Sequence, residues 1–316
     1  MRRALVLGCG GTVGGAWTVG ALSALGEHLQ WDPRDAAVII GTSSGSSIAA
    51  MLGAGVGVDD LLAAQRDESS ARDAIRQFFT RPPRGVPPLP RPGITSPSIA
   101  FSGLWRRSAV LLASGLAPVG GGSPSFLDPL ADALAPEHGW VTHPATWLVA
   151  VDLGSGERVP FGARGAPIVP LRHALRASWA IPGWYQPLRA HGRRYADGGI
   201  LSPTSADLVQ RLALDEVVIV APMASPLEFT PKGFAQRAEN IAMRKHMSHT
   251  LEREIKTLKS AGLPVLSVVP DEIDLAEMGP NFMDPRRRLP ALDIALETVP
   301  VALRSSTSSN VVQLSG

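Results

Sequence analysis

The chain has 316 residues, of which 45% are apolar and 18% are charged, and its formal net charge is +2. This composition allows a large α/β core, and so small a net charge does not indicate a nucleic-acid-binding protein. The single cysteine, Cys9, excludes an intrachain disulfide and fits a reducing cytoplasm. No signal-peptide pattern is visible, and the longest apolar run, Ala109 to Val119, is shorter than the ~20 residues that span a bilayer. We therefore expect a soluble, cytoplasmic protein.

The first fifty residues alternate between short buried-strand patterns and helical patterns. Ala4–Leu7 predicts a strand, and Gly8–Gly15 predicts a glycine-rich loop. The residues after this loop predict an apolar helix that continues through Leu25. A second strand is predicted over Ala37–Ile40 and a helix of small residues over Ser46–Leu52. This rhythm of strand, turn and helix is typical of a parallel sheet covered by helices.

The composition changes between about Arg76 and Gly122. Residues 81–97 are proline-rich and are not expected to form a regular helix. Residues 74–127 contain six arginines but no Asp or Glu. Apolar residues lie among them: Phe101, Leu104, Trp105 and the run Ala109–Leu116. We interpret the region as a cap inserted into a single domain of residues 1–316, and we expect it to be mobile and to meet a lipid surface. A solvated loop with a core-packing helix is the alternative.

Strand patterns return in the second half of the chain. Further strands are predicted over Thr146–Val151, Arg158–Phe161, Glu216–Ala221 and Val265–Val269. Arg193–Ala196 has a turn-like pattern and leads into Asp-Gly-Gly, and Phe234–Ser260 predicts a long charged helix. The Ser-rich residues from about 304 to 316 predict a tail that is disordered in part.

A serine stands between two glycines where the second strand meets its helix. The residues from Gly41 to Gly45 spell G-T-S-S-G, with Ser43 at the centre. A nucleophile elbow needs its serine on a sharp turn that projects the hydroxyl from the sheet edge, with glycines that let strand and helix approach closely. The N-terminus of the next helix then faces a developing oxyanion. The motif predicts Ser43 as a nucleophile; an ordinary helix cap by Thr42, Ser43 or Ser44 is the alternative.

The glycine-rich loop Gly8–Gly15 follows the first strand. Its spacing is G-x-G-x-x-x-G, not the G-x-G-x-x-G of dinucleotide sites, and the second strand does not end in an acidic residue. Backbone N–H groups of such a turn at a helix N-terminus can instead face an oxyanion. We predict an oxyanion hole formed by Gly10, Gly11 and Thr12; a tight turn without a ligand is the alternative. The cysteine of this loop is expected to be a small packed residue.

A base is needed to activate the serine. A catalytic triad would supply a histidine, but none of the seven lies in a recognisable catalytic motif: His28, His138, His143, His173, His191, His246 and His249. Asp197 is a better candidate because a turn built on Gly198 and Gly199 can hold its carboxylate rigidly near a serine hydroxyl. The same tripeptide also forms ordinary turns.

Taken together and in this order, the three motifs resemble the patatin-like phospholipase family. They are the glycine loop from Gly8 to Gly14, the Gly41–Gly45 motif and the Asp197–Gly199 turn. The stretch Leu175–Trp184 also looks like the family's approach to its aspartate. The resemblance covers about residues 4–55 and 145–221.

The resemblance implies a three-layer α/β/α sandwich with a mostly parallel central sheet. It also implies a Ser43–Asp197 dyad without histidine, and hydrolysis of fatty acyl esters through an acyl-enzyme, with neither cofactor nor metal. The loop departs from the family pattern because Val13 stands where a basic residue is usual, and because of an extra residue near Gly15. The backbone donors survive, but the missing cation bears on the preference for an anionic head group.

Three functions are compatible with these motifs. The first is a serine carboxylic-ester hydrolase acting on phospholipid, lysophospholipid or another lipid ester, with possible peripheral contact to a membrane surface. The second is a lipid-binding or regulatory protein of the same fold with little turnover. The third is an acyltransferase that uses the same acyl-enzyme. The intact Ser43 and Asp197 favour the enzymes over the binding protein.

Overall fold

Short strands and helices alternate along the chain in a computed structural model that describes residues 1–83, 85–105, 108–135, 139–225 and 243–305. The strands are β1 (Arg3–Leu7), β2 (Val38–Thr42), β3 (Arg91–Ile94), β4 (Pro118–Val119), β5 (Thr146–Asp152), β6 (Arg158–Phe161), β7 (Leu188–Ala190), β8 (Arg193–Asp197), β9 (Glu216–Val220) and β10 (Val265–Val268). The helices are α1 (Gly11–Leu29), α2 (Ser44–Gly53), α3 (Val58–Gln65), α4 (Asp73–Thr80), α5 (Pro97–Trp105), α6 (Ala109–Leu116), α7 (Asp128–Leu134), α8 (Leu171–Ser178), α9 (Lys245–Ser260), α10 (Glu272–Met278) and α11 (Arg288–Arg304). Among the described helices, none has the length and hydropathy needed to cross a membrane.

The central sheet has the strand order β10-β9-β1-β2-β5-β8-β7, with β6 paired to β5 as well. Pairing is parallel from β10 through β5 and antiparallel among β5, β6, β7 and β8. The parallel part is buried on both faces, which explains why its strands are nearly continuous runs of apolar residues.

Alternate residues of the central strands face two different apolar clusters. Leu5 and Ile39 belong to a large cluster that includes residues of α1, α2, α8 and α11. Val6 and Ile40 point to the opposite face, where they join a second cluster that includes Leu251 and other residues of α9. Helices therefore cover both faces of the sheet, and the predicted three-layer α/β/α fold with a mostly parallel sheet is confirmed.

Strand β5 brings the ends of two other strands together. One edge of β5 pairs with β6, and the opposite edge is divided between β2 and β8. Because β2 is parallel to β5 and β8 is antiparallel, the two strands run towards each other along this edge. Thr42 lies opposite Val149, and Asp197 lies opposite the next residue, Ala150. The strands thus end side by side, which places Ser43 next to Asp197.

Helices α5 and α6 form an antiparallel hairpin within the predicted insert, bracketed by the small sheet of β3 and β4. Glycines allow the two helices to touch, since a Cβ on Gly103 would lie 2.3 Å from the Leu112 nitrogen and one on Gly115 would lie 2.2 Å from the Ala100 nitrogen. Ser96 donates a 2.9 Å hydrogen bond to the carbonyl of Leu153, which anchors the base of the hairpin to the end of β5.

Most predicted elements are confirmed, with small differences in their bounds. Helix α1 begins at Gly11, so much of the predicted glycine loop forms its first turns. The turn predicted over Arg193–Ala196 is wrong, because these residues belong to β8 and pair with both β5 and β7. Its arginines made the segment look exposed, whereas Tyr195 is buried with its ring centroid 5.1 Å from that of Phe161.

The remaining predicted elements are tested only in part by the described residues. The strand β3 inside the proline-rich segment was not expected. The long helix predicted from Phe234 is described from Lys245 onwards, as α9; residues 226–242 lie outside the described chain, as do residues 106–107 of the insert. Helix α11 ends at Arg304, and residues 306–316 of the predicted tail lie outside the described chain. A single domain with residues 76–122 as its cap stays a prediction.

Candidate active site

Ser43 occupies a strained turn between β2 and α2. Its backbone angles are φ +56° and ψ −123°, a region that non-glycine residues rarely adopt. The turn is tight enough that a Cβ on Gly41 would lie 2.3 Å from the Gly45 carbonyl oxygen, and a Cβ on Gly45 would lie 2.3 Å from that of Leu7. Both glycines of the motif are therefore required by close backbone contacts. The conformation is the one expected of a nucleophile elbow.

Ser178, the last residue of α8, holds this turn in place. Its hydroxyl accepts a 2.9 Å hydrogen bond from the N–H of Ser43 and donates a 2.7 Å hydrogen bond to the carbonyl of Val149 on β5. Ser178 thereby connects the strained turn to β5, the strand whose edge pairs with both β2 and β8. The sequence indicated this residue only as part of the 175–184 stretch of the resemblance, without a role for its hydroxyl.

Asp197 is buried at the end of β8 and interacts with the hydroxyl of Ser43. The N–H of Gly199 donates a 2.7 Å hydrogen bond to its Oδ1, which orients the carboxylate. Burial raises the pKa of the Asp197 carboxyl to about 7, although the hydrogen bonds with Ser43 and Gly199 lower it. A carboxylate with a pKa near neutrality is well suited to take and return a proton.

The glycine loop supplies backbone donors beside this pair. The N–H of Val13 donates to the carbonyl of Phe282, whereas within the described chain the N–H groups of Gly10, Gly11 and Thr12 have no acceptor. Gly10 and Gly11 line the same cavity as Ser43, while Thr12 lines a smaller neighbouring one. The structure therefore brings two of the three predicted donors into the site and places the third at its margin.

A cavity of about 340 Å³ opens above the pair. Its walls are mainly apolar. They come from α6 and its C-terminal end, from the segments after α8, β8 and β9, from α9 and the residues just before it, and from the loop between α10 and α11: Val110, Ala113, Ala117, Ile181, Pro182, Trp184, Ile200, Met223, Met243, Met247 and Phe282. No sequence pattern predicts this lining, because its residues are far apart in the chain and share no motif. The size and apolar character of the cavity fit a hydrocarbon ligand.

Other candidate nucleophiles and bases do not share this geometry. Cys9 lines the cavity, but burial raises the pKa of its thiol far above neutrality, and it packs with Met223 and Met247. Of the histidines in the described ranges, none lines the cavity with Ser43. His246 and His249 lie along a separate polar cavity beside α9, and His138 falls outside the described residues.

Comparison with known proteins identifies the family of this chain. The family model for patatin-like phospholipase matches residues 5–209, which is most of the chain and spans all three motifs. The chain belongs to the patatin-like phospholipase family. No curated protein matches the sequence. Among solved structures it is similar to VipD from Legionella pneumophila, with 16% identity and a TM-score of 0.45, over 96% of this chain and 67% of that one.

The burial of Asp197 predicts a pH-dependent cost in stability. Because the native state raises the pKa of this carboxyl from 3.8 to about 7, the native protein holds the proton more tightly than the unfolded chain does. The stabilisation that results from this tighter proton binding is complete below pH 4, and it is lost as the pH rises through about 7. The neutral Asp197→Asn variant should therefore unfold at a higher urea concentration than wild type at pH 8, and the difference should shrink towards pH 4.5.

Urea denaturation at the two pH values measures this effect. Asp207→Asn is the matched control, because Arg158 holds the pKa of the Asp207 carboxyl below its usual range although burial opposes this. This control should be less stable than wild type at pH 8. An Asp197→Asn variant that is destabilised at both pH values would contradict the buried-charge interpretation.

Proposed function

We propose that this protein hydrolyses fatty acyl esters of lipids, with Ser43 as the nucleophile and Asp197 as the general base. The observation that carries the proposal is the contact of a serine on a strained elbow with a buried carboxylate of near-neutral pKa, at the floor of a mainly apolar cavity. Membership of a family of lipid acyl hydrolases supports the same reaction class.

The reaction divides into two steps that share the same groups. Asp197 takes the proton of the Ser43 hydroxyl as Oγ attacks the ester carbonyl, and the resulting oxyanion is held by the N–H groups of Gly10 and Gly11. The proton then passes from Asp197 to the departing alcohol, which leaves an acyl-enzyme. In the second step Asp197 takes a proton from water, whose oxygen attacks the acyl carbon, and Ser43 is released with its proton restored.

The shape of the site supports a lipid ester as substrate. The apolar cavity accommodates a hydrocarbon chain beside Ser43, and burial of that chain supplies binding energy in proportion to the area removed from water. Among the described residues that line the cavity, Asp197 is the one with a charged side chain, so no cation there selects an anionic head group. Phospholipids, lysophospholipids and other acyl esters are therefore all included in the proposal.

The α5–α6 hairpin supports contact with a membrane surface. Phe101, Leu104 and Trp105 lie at i, i+3 and i+4 along α5, and their exposed fractions are 67%, 65% and 83%. On the other helix of the hairpin, Val110 and Ala113 line the cavity that holds Ser43. We infer that the exposed apolar side chains enter an anionic lipid surface, since residues 74–127 are rich in arginine and contain no Asp or Glu.

Replacing the proposed nucleophile should abolish catalysis. Ser43→Ala is expected to lower turnover of p-nitrophenyl esters at least about a thousandfold and to prevent labelling by a fluorophosphonate. Ser44→Ala is the matched control, because this adjacent buried hydroxyl has no hydrogen-bond partner in the described chain and should be dispensable for turnover. Equal loss in the two variants would mean that the turn itself, and not the Ser43 hydroxyl, is required.

Replacing the proposed base should remove turnover and its pH dependence. Because Asp197 must be ionised to accept a proton, wild-type activity on a soluble ester should fall as the pH drops below about 7. Asp197→Asn is expected to cost about 10²–10⁴-fold in turnover. A variant in which His246 and His249 are both replaced by Gln should keep nearly full activity and the same pH profile. A folded but inactive double variant would contradict a dyad without histidine.

Removing the exposed apolar side chains of α5 should weaken membrane binding. In an inactive Ser43→Ala background, changing Phe101, Leu104 and Trp105 to Ser is expected to lower partitioning onto anionic vesicles about tenfold or more, because binding scales with buried apolar area. Binding of the parent should rise with the anionic lipid fraction and weaken with salt. Co-sedimentation with vesicles measures both effects.

The control is Ile273→Ser, which removes a comparably exposed apolar side chain, 60% accessible, from α10. It should bind vesicles as the parent does. With Ser43 restored, the triple variant should hydrolyse a soluble ester normally. Unchanged vesicle binding by the triple variant would exclude the surface, and a change in its sedimentation mass without vesicles would assign the face to self-association instead.

A further inference from the structure

A buried glutamate outside the cavity contacts the segment that joins the two halves of the site. Glu254 lies on α9 with only 6% of its surface exposed. Its carboxylate accepts hydrogen bonds from the Ser202 hydroxyl at 2.5 Å, the Thr204 hydroxyl at 2.5 Å and the Ala206 N–H at 3.0 Å. One side chain thus holds three points of the segment from Ser202 to Ala206, which has no regular strand to fix it.

The segment is itself a tight turn organised around Ser202. The hydroxyl oxygen of Ser202 accepts hydrogen bonds from the N–H groups of Thr204 at 3.1 Å and Ser205 at 2.7 Å while its proton is donated to Glu254. Ser205 has φ +58°, which a non-glycine residue adopts only when its surroundings hold it there. The turn therefore depends on the glutamate for its shape.

The same turn touches the base on one side and the oxyanion loop on the other. The N–H groups of Leu201 and Ser202 donate to the carbonyl of Gly198, the residue that follows Asp197. On the other side, the carbonyl of Pro203 accepts a 2.8 Å hydrogen bond from the N–H of Cys9, immediately before the proposed donors of the glycine loop. A shift of this turn would therefore move Asp197 and the oxyanion donors relative to each other.

Charged groups from neighbouring elements surround the Glu254 carboxylate. Arg158 on β6 lies 3.2 Å from Glu254 and also forms a bidentate pair with Asp207, with both N···O distances 2.6 Å. Burial and the nearby Asp207 together raise the pKa of the Glu254 carboxyl to about 7, although the hydroxyl donors and Arg158 act to lower it. Removing one partner from such a buried network leaves its other polar groups without compensation, so the hydrogen bonds of Glu254 and the turn are strongly coupled.

We propose that Glu254 is a positioning residue for the reaction, which sets the geometry between Asp197 and the backbone donors of the glycine loop through the turn of residues 202–206. This inference rests on the proposed function of Ser43 and Asp197. Glu254 touches neither the substrate cavity nor the reacting atoms, so its effect falls on the arrangement of the transition state and not on substrate binding.

The test separates positioning from simple stabilisation. Glu254→Ala should lower kcat for a soluble p-nitrophenyl ester about tenfold to a hundredfold, with KM nearly unchanged, since small misplacements of catalytic groups cost this much. Rates are expressed per molecule of folded protein, measured by near-UV circular dichroism. Glu254→Gln should recover part of kcat, because its amide oxygen can accept hydrogen bonds from the Thr204 hydroxyl and the Ala206 N–H, whereas its NH2 group is a donor and cannot accept the proton of Ser202.

Two further variants keep the test decisive. If Glu254→Ala does not fold, Thr204→Val removes a single hydrogen bond with little change of shape and should lower kcat severalfold. Asp274→Ala is the matched control. Asp274 is a buried acid on α10 that accepts hydrogen bonds from the Thr298 hydroxyl and the Asp271 N–H, so its replacement should lower stability without changing kcat.

An unchanged kcat in Glu254→Ala or Thr204→Val, with only lower stability, would overturn the inference. So would a kcat of Glu254→Gln that is no higher than that of Glu254→Ala when both variants fold as wild type does. Failure of the proposed function is distinguishable, because Ser43→Ala would then retain turnover.

Discussion

The interaction on which this site depends is the contact between the Ser43 hydroxyl and the buried carboxylate of Asp197. A carboxylate in an apolar cavity is costly, and among the described residues the serine hydroxyl and one backbone N–H are the groups that offset this cost by hydrogen bonding. Stronger neutralisation by a cation would lower the pKa of the acid and weaken it as a base. The burial of Asp197 therefore favours its proposed role as a base. The rest of the fold has to hold the carboxylate in this buried position.

Rigid elements provide that support. Parallel β2 and antiparallel β8 end side by side on one edge of β5, so the relative position of serine and aspartate is set by main-chain hydrogen bonds. Ser178 then ties the elbow to β5 at Val149. Two side chains that are 154 positions apart in the sequence, at 43 and 197, are thereby fixed by a single strand between them. A dyad needs this rigidity because it lacks the third residue that orients the base in a triad.

Sequence patterns predicted those parts of the molecule that are encoded locally. Buried parallel strands are short apolar runs, and the elbow needs glycines at two positions, so both are visible in the sequence. The strand β8 was missed because it begins with two adjacent arginines at the sheet's antiparallel edge, where Arg193 forms an ion pair with Asp152. The cavity lining and the Glu254 contacts were also missed, because they join residues from distant segments whose proximity depends on the tertiary fold.

The insert illustrates how one segment can serve two surfaces. Its helices touch through Gly103 and Gly115, which leaves almost no space between them. The hairpin exposes Trp105, while Val110, five residues later, lines the cavity of Ser43. Leu111 packs instead with Val151 and Ala196 near the ends of β5 and β8. The surface proposed to meet lipid therefore lies on the same hairpin as residues that line the Ser43 cavity and residues that pack against β5 and β8.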